Sequence, residues 1–187
     1  MTPIMFDIEA DGLLEDVTRI HCLVGRNLLT DEVNRFYRFD EFSDHSKKDA
    51  ELDRLVEYID SATTLVGHNI VGYDLDLLER FYGMNFDSGI NILDTLVWSQ
   101  ALYPDRQLPR GCPPVIVNPV TGIAKKVGPH SVEAWGYRVA KKKPQIDDWR
   151  FFNRSVLHRC EEDVGIQTKI FYALLKEANL TMEDVVQ

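Results

Sequence analysis

Three segments of strand-like pattern precede any helical periodicity, and that order restricts the chain to few folds. Ile4–Ile8 is a short apolar run interrupted by one acid. In Ile20–Val24, Ile20, Cys22 and Val24 alternate with His21 and Leu23, and Val33–Phe39 alternates in the same way. Turn-rich pieces join the three, which predicts an antiparallel meander. Helical patterns and short apolar runs then take turns. Leu52, Leu55, Val56 and Ile59 predict a helix over residues 49–59, and Thr63–Val66 reads as a strand. Leu75–Phe81 reads as a helix closed by Gly83. Ile90–Leu93 reads as a buried strand leading into a helix through Tyr103. Ser131–Ala140 is helical with Ser131 as N-cap, and a last helix over 155–178 carries an apolar stripe from Val164 to Leu175. The expectation is an α/β fold built on a mixed five-stranded sheet flanked by helices. The proline- and glycine-rich residues 104–130 are expected to form a long loop or extended hairpin within one domain spanning 1–187.

The chain has 187 residues, of which 44% are hydrophobic and 27% charged, a globular composition with enough chain to bury a core. No apolar run approaches the ~18 residues of a membrane helix. The start, with neither a basic n-region nor an apolar h-region, does not read as a signal peptide. Cys22, Cys112 and Cys160 are few, odd in number and far apart, which argues for a reducing compartment and against a disulfide scaffold or a zinc site. The net charge of −9 at first disfavours nucleic acid as a partner. The distribution is uneven, however: residues 124–159 hold nine Lys/Arg against Glu133, Asp147 and Asp148. Such a stretch is either a solvated loop or a phosphate-contacting face. Trp98 and Trp135 lie in helical apolar patterns and are expected in the core rather than as stacking platforms.

Three acidic features stand out. Asp7 and Glu9 flank Ile8, and residues two apart on a strand share a face. Two like charges there are either solvated at a strand end or compensated by something positive, for which a divalent cation with hard-oxygen preference is suited. Asp74 follows the turn Gly67–Tyr73 and is either the N-cap of the next helix or an anion favoured at its N-terminus. Asp163 follows Glu161 and Glu162 and borders the apolar stripe, so it lies on a solvated face or turns inward. Four carboxylates converging at one sheet end would suit two cations ~3.5–4 Å apart, an arrangement for phosphoryl displacement.

Asp7-Ile8-Glu9-Ala10-Asp11-Gly12-Leu13-Leu14, the Asn69…Tyr73-Asp74 segment and Asp163-Val164 resemble the three motifs of the DEDD 3′→5′ exonuclease superfamily. The subgroup nearest to it is the proofreading domain of bacteriophage family A DNA polymerases. Asp94–Ser99 and His130–Arg138 look like the segments characteristic of that subgroup. The resemblance runs from about residue 4 to 175. It implies an RNase H-like fold and two Mg²⁺ or Mn²⁺ ions held by Asp7, Glu9, Asp74 and Asp163. It implies release of 5′-mononucleotides from a DNA 3′ end, preferably single-stranded, in phage DNA replication and in the host cytoplasm. Leu13, Leu14, Asn69 and Tyr73 carry over as strand contacts. The chain is far too short to include a polymerase domain; it reads as either a free-standing exonuclease or the proofreading part of a polymerase, and a separate DNA polymerase subunit is among the partners this implies. RNA as substrate, or an inactive docking module, are the alternatives.

One motif departs from the pattern. Proofreading domains of this kind carry a tyrosine four residues before the last aspartate, where this chain has Arg159. The other branch has a histidine five residues before it, and His158 stands there. His158 is therefore the residue expected to orient or deprotonate the attacking water, which an ordinary imidazole pKa suits. On a continuous helix Arg159 lies ~40° from Asp163 and His158 ~140° away. His158 serves only if the helix begins just after it. Otherwise Arg159 faces the site as a phosphate contact.

Overall fold

The computed structural model describes residues 2–37, 45–86, 89–118, 122–141 and 150–186. Arg38 and Phe39 at the end of the third expected strand, and Lys142, Lys143, Asp147 and Asp148 of the basic stretch, lie outside the described residues.

Strands β1 (Pro3–Ala10), β2 (Ile20–Asn27) and β3 (Val33–Tyr37) form the antiparallel meander. After helix α1 (His45–Asp60), strand β4 (Thr64–Gly67) runs parallel to β1. Helix α2 (Asp74–Tyr82) leads to β5 (Asn91–Asp94), parallel to β4. The sheet order is β3-β2-β1-β4-β5, the mixed five-stranded arrangement expected. Then come α3 (Thr95–Leu102), α4 (Val132–Arg138), the 25-residue α5 (Arg154–Ala178) and the short α6 (Met182–Val185). Between α3 and α4, β6 (Val115–Val117) and β7 (Ala124–Lys126) pair as a separate hairpin.

Period two in β1 sorts its side chains. Ile4, Phe6 and Ile8 pack with Leu55 and Ile59 of α1 and Leu77 and Leu78 of α2. Met5 points the other way, into a cluster with Cys22, Val24 and Val66 and with Val156, Cys160, Val164 and Phe171 of α5. Asp7 and Glu9 continue the Met5 face, so the strand aims both acids at α5.

Beyond Met5 the β1–β4 ladder ends, because Pro3–Met5 pair with Thr64–Val66 and β4 stops at Gly67. The sheet thus opens a crevice at the carboxyl ends of two parallel strands, the usual place for a ligand in such sheets. Gly67 is required there: a Cβ on it would meet Ile70 Cγ2 at 2.1 Å and the Phe6 carbonyl oxygen at 3.0 Å. Gly83 caps α2 in the left-handed conformation, at φ 65°.

Two expectations change. Ile90–Leu93 is not a buried strand: β5 is the sheet's edge, with Asn91 and Ile92 exposed, because among the described residues no strand pairs on its outer side. Asp74 is not the N-cap of α2; Tyr73 holds that position without a side-chain cap, and Asp74 is buried in the first turn. Trp135 is buried, with the Arg106 and Arg138 guanidinium groups 4.6 and 5.0 Å from its ring centroid, and Trp98 packs edge-on against Phe171. The Gly67→Ala variant is expected to unfold at lower denaturant concentration, by ~1–3 kcal/mol as for overpacked cores, read from urea unfolding followed by circular dichroism.

Candidate active site

Three carboxylates converge where β1 meets the middle of α5. One oxygen from each of Asp7, Glu9 and Asp163 lies within 4.8 Å of the others. Asp163 is 2% exposed, whereas Asp7 and Glu9 open partly onto a cleft. Asp74 lines the same cleft. Its Oδ1 accepts a 2.9 Å hydrogen bond from the Ile8 N–H. That N–H lies past the end of the β4 ladder, so the carboxylate takes over where the strand stops.

Burial and crowding raise the pKa of each of these acids. Burial foremost, and then the Asp163 charge, push Asp7 up to about 8, against the Gln167 hydrogen bond and the Arg159 charge, which lower it. Burial, and then Asp7, raise both Glu9 and Asp74 well above the ordinary carboxylate range. Burial also lifts Asp163 to about 6, although the Arg159 guanidinium holds it down. Four acids outnumber the one guanidinium beside them, and an all-oxygen, partly exposed donor set of this kind fits a hard divalent cation.

Helix α5 decides between His158 and Arg159. It begins at Arg154, capped by the Asn153 side chain, which accepts from the Ser155 and Val156 N–H groups. His158 therefore sits on continuous helix, is exposed and lies outside the cleft. The expectation that His158 reaches the site is corrected by that early helix start, which turns it ~140° from Asp163. Arg159 faces the acids instead: its Nε is 2.9 Å from Asp163 Oδ2 and 3.9 Å from Glu9 Oε1.

Leu13, Asn69 and Tyr73 line the cleft; Leu14 does not, and packs against the β1–α1–α2 core. Leu13 is 76% exposed on the loop after β1. Asp11 holds that loop through the Thr18 and Arg19 N–H groups, and the Tyr73 hydroxyl ties it to α2 by donating to the Gly12 carbonyl at 2.6 Å. Asn69 adopts φ 67°, which asparagine tolerates.

Further side chains join the cleft or hold its walls in place. Lys125 of β7 reaches the wall, so the basic stretch contributes at least one cation to the site. His68 lines it too, its Nδ1 2.9 Å from Thr95 Oγ1, with burial lowering its pKa to about 4. Gln167 lies one helical turn beyond Asp163 and bonds Asp7. Asp94 caps α3 and also accepts from the Asn69 and Val71 N–H groups, which fixes the turn before Asp74. His130 Nδ1 meets Ser99 Oγ at 2.8 Å, so the two segments between the second and third motifs are tied together.

Residues 4–109 match the family profile of the RNase H superfamily, and the chain belongs to that superfamily. It is 31% identical to the DNA-directed DNA polymerase of Escherichia phage T7, over 98% of this chain and 25% of the polymerase. It is 29% identical to the DNA-directed DNA polymerase of Enterobacteria phage T3, over 96% of this chain and 24% of that protein. The chain thus spans about a quarter of the length of these relatives. E. coli exonuclease I in complex with a dT13 oligonucleotide shares the fold, with a TM-score of 0.56 at 15% identity over 95% of this chain and 42% of that one. These findings support the resemblance to DEDD 3′→5′ exonucleases and the RNase H-like fold. Among the described residues no helix is long and apolar enough to cross a membrane.

Carboxyls whose folded pKa lies above the unfolded ~3.9 favour the native state most below that value. This contribution is lost as pH rises through the folded pKa values, about 6 for Asp163 and about 8 for Asp7. The chelated protein is expected to lose thermal stability between pH 5.5 and 8.5. Added Mn²⁺ is expected to raise Tm most at the alkaline end, measured by differential scanning fluorimetry with and without EDTA.

Proposed function

We propose that this chain is a metal-dependent 3′→5′ exodeoxyribonuclease that trims single-stranded 3′ ends to 5′-mononucleotides and proofreads beside a DNA polymerase. The observation that carries this reading is the convergence of Asp7, Glu9 and Asp163 with Asp74 beside them. The two polymerase relatives support DNA as the substrate and phage replication in a host cytoplasm as the setting.

Asp7, Glu9, Asp74 and Asp163 would hold two Mg²⁺ or Mn²⁺ ions. Such ions supply a nucleophile from water at neutral pH and stabilise charge on the scissile phosphate and the leaving 3′-oxygen. Asp7, at the centre of the carboxylates, is the ligand best placed to be shared. Glu9 borders the exposed mouth and would also accept from the terminal 3′-hydroxyl, which selects ends. Leu13 presents an apolar surface for the last base, and Asn69 and Tyr73 flank the strand's path. Lys125 and Arg159 would contact phosphates. Arg159 neutralises Asp163 and Glu9 while the cleft is empty of substrate and turns to a phosphate when one enters. With His158 on the outer face of α5, proton removal from the attacking water falls to the cation chemistry rather than to an imidazole.

Digestion of a 5′-labelled single-stranded DNA oligomer with Mn²⁺, beside a matched RNA, tests the reading. A ladder shortening from the 3′ end is expected, with Asp7→Ala losing on the order of 10³-fold or more, the scale of ~4 kcal/mol of lost charge stabilisation. His158→Ala should stay within about threefold, since an exposed side chain outside the cleft contributes little. Preference for RNA would move the substrate class, and binding without turnover would make the chain a docking module. Arg159→Met removes a cation that competes for Glu9 and Asp163. It is expected to tighten Mn²⁺ binding about three- to tenfold, on the order of 1 kcal/mol for a partly exposed charge, and to raise KM for the oligomer. Titration calorimetry and steady-state kinetics read the two effects.

A further inference from the structure

We infer that Gln167 is a positioning residue that holds the Asp7 carboxylate in line with Glu9 and Asp163. This inference rests on the metal-site reading above and concerns a side chain that no motif marks.

Gln167 follows Asp163 by one turn, so both project from the same face of α5 toward β1. It is 1% exposed. Its Oε1 accepts from the His68 N–H at 3.1 Å, and its Nε2 donates to Asp7 Oδ1 at 2.7 Å. The backbone settles which end of the amide is which. The His68 N–H is only a donor, so the end facing it must be oxygen, and the NH₂ group must face Asp7.

The location explains why an amide is needed. His68 follows the last residue of β4, and its N–H has no strand to pair with. Asp7 stands opposite on β1, beyond the last β1–β4 pair. Gln167 fills the gap with one acceptor and one donor, and so joins β1, β4 and α5 at the point where the ladder fails. A glutamate would set a like charge against Asp7. Methionine has similar length but leaves both the His68 N–H and Asp7 Oδ1 without this partner. Asparagine is one methylene too short to span both. With its donor in place, the Asp7 carboxylate cannot rotate freely, and the alignment of the three acids survives their mutual repulsion.

Hydrogen-bonded partners behind metal-binding carboxylates typically matter ~10–100-fold in metal affinity. The test is Mn²⁺ binding to the full chain, followed by electron paramagnetic resonance of free Mn²⁺, for the unmutated protein, Gln167→Met and Gln167→Asn. Circular dichroism checks the fold of each. Both variants are expected to raise Kd about 10-fold or more. Gln167→Asn, which keeps a polar group, decides the matter if Gln167→Met does not fold. A smaller change in a folded variant overturns the inference. If the unmutated chain binds no Mn²⁺, the metal-site reading itself fails; normal binding with indifferent variants sinks only the role of Gln167. The Asp7→Ala background, which removes the acceptor that an asparagine amide oxygen would still offer Gln167, separates positioning from general structural support. There, Gln167→Met should cause no further loss, because its target carboxylate is gone, whereas an equal further loss would make Gln167 merely structural and overturn the assignment.

Discussion

Everything at the site depends on placing like charges together at the end of the central strand. Asp7 and Glu9 sit on the face of β1 that continues from Met5 toward α5, so the helix that buries Met5 also delivers Asp163. A sheet whose first strand is central can do this because β2 pairs with it antiparallel along its length, while β4 pairs only with its first residues. The unpaired half of that edge is what makes room for a cleft. The polar groups left there are answered by side chains: Asp74 takes the Ile8 N–H, and Gln167 takes the His68 N–H. The first bond joins the second motif to the first, and Gln167 Nε2, donating to Asp7 Oδ1, joins the helix of the third motif to the first.

The repulsion is contained, not abolished. Asp7, Glu9, Asp74 and Asp163 all have raised pKa values, with burial as the largest cause in each case. Arg159 lies within 4 Å of two of them and offsets part of the cost. A folded protein keeps such a strained set only where the rest of the core is sound. Here the strain is borne by β1 and α5, whose apolar residues lie among the fully buried ones. Strain placed on well-buried elements keeps geometry fixed when the charges change, as the proposed cation site would require.

Much of this was legible in the chain. Period two puts Asp7 and Glu9 on one face, and the succession of patterns yields the meander followed by parallel strands. The place of Asp163 beside the apolar stripe left both a solvated and an inward orientation open, and packing against β1 decides for burial. Other features were not legible, for physical reasons. An edge strand and a central one have similar short apolar runs, so Ile90–Leu93 did not reveal that β5 ends the sheet among the described residues. The choice between His158 and Arg159 turned on where α5 begins, and a shift of one turn there exchanges the faces. Asn153 capping the helix set that start. Gln167 was invisible because its role needs two partners, 99 and 160 residues away. Asp94 was visible as a family segment, but its bonds to the Asn69 and Val71 N–H groups are tertiary.

The arginine in the place of a tyrosine changes the character of the site. A tyrosine hydroxyl at that position would add a hydrogen-bond donor near the acids without altering their charge. Arg159 adds a permanent cation, which cannot deprotonate in a protein and so cannot act as a base. It lowers Asp163 and Asp7 instead, moving them toward the ionised form that binds cations, while its own charge opposes a cation's approach. These two effects pull metal affinity in opposite directions. At 2.9 Å from Asp163 the guanidinium occupies the carboxylate that a cation would need, and the proposed function takes this competition as the larger effect. An anionic phosphate entering the cleft offers that guanidinium another partner and relieves the competition. On the function proposed above, metal and substrate binding would be coupled through one side chain, a coupling that a neutral tyrosine cannot provide.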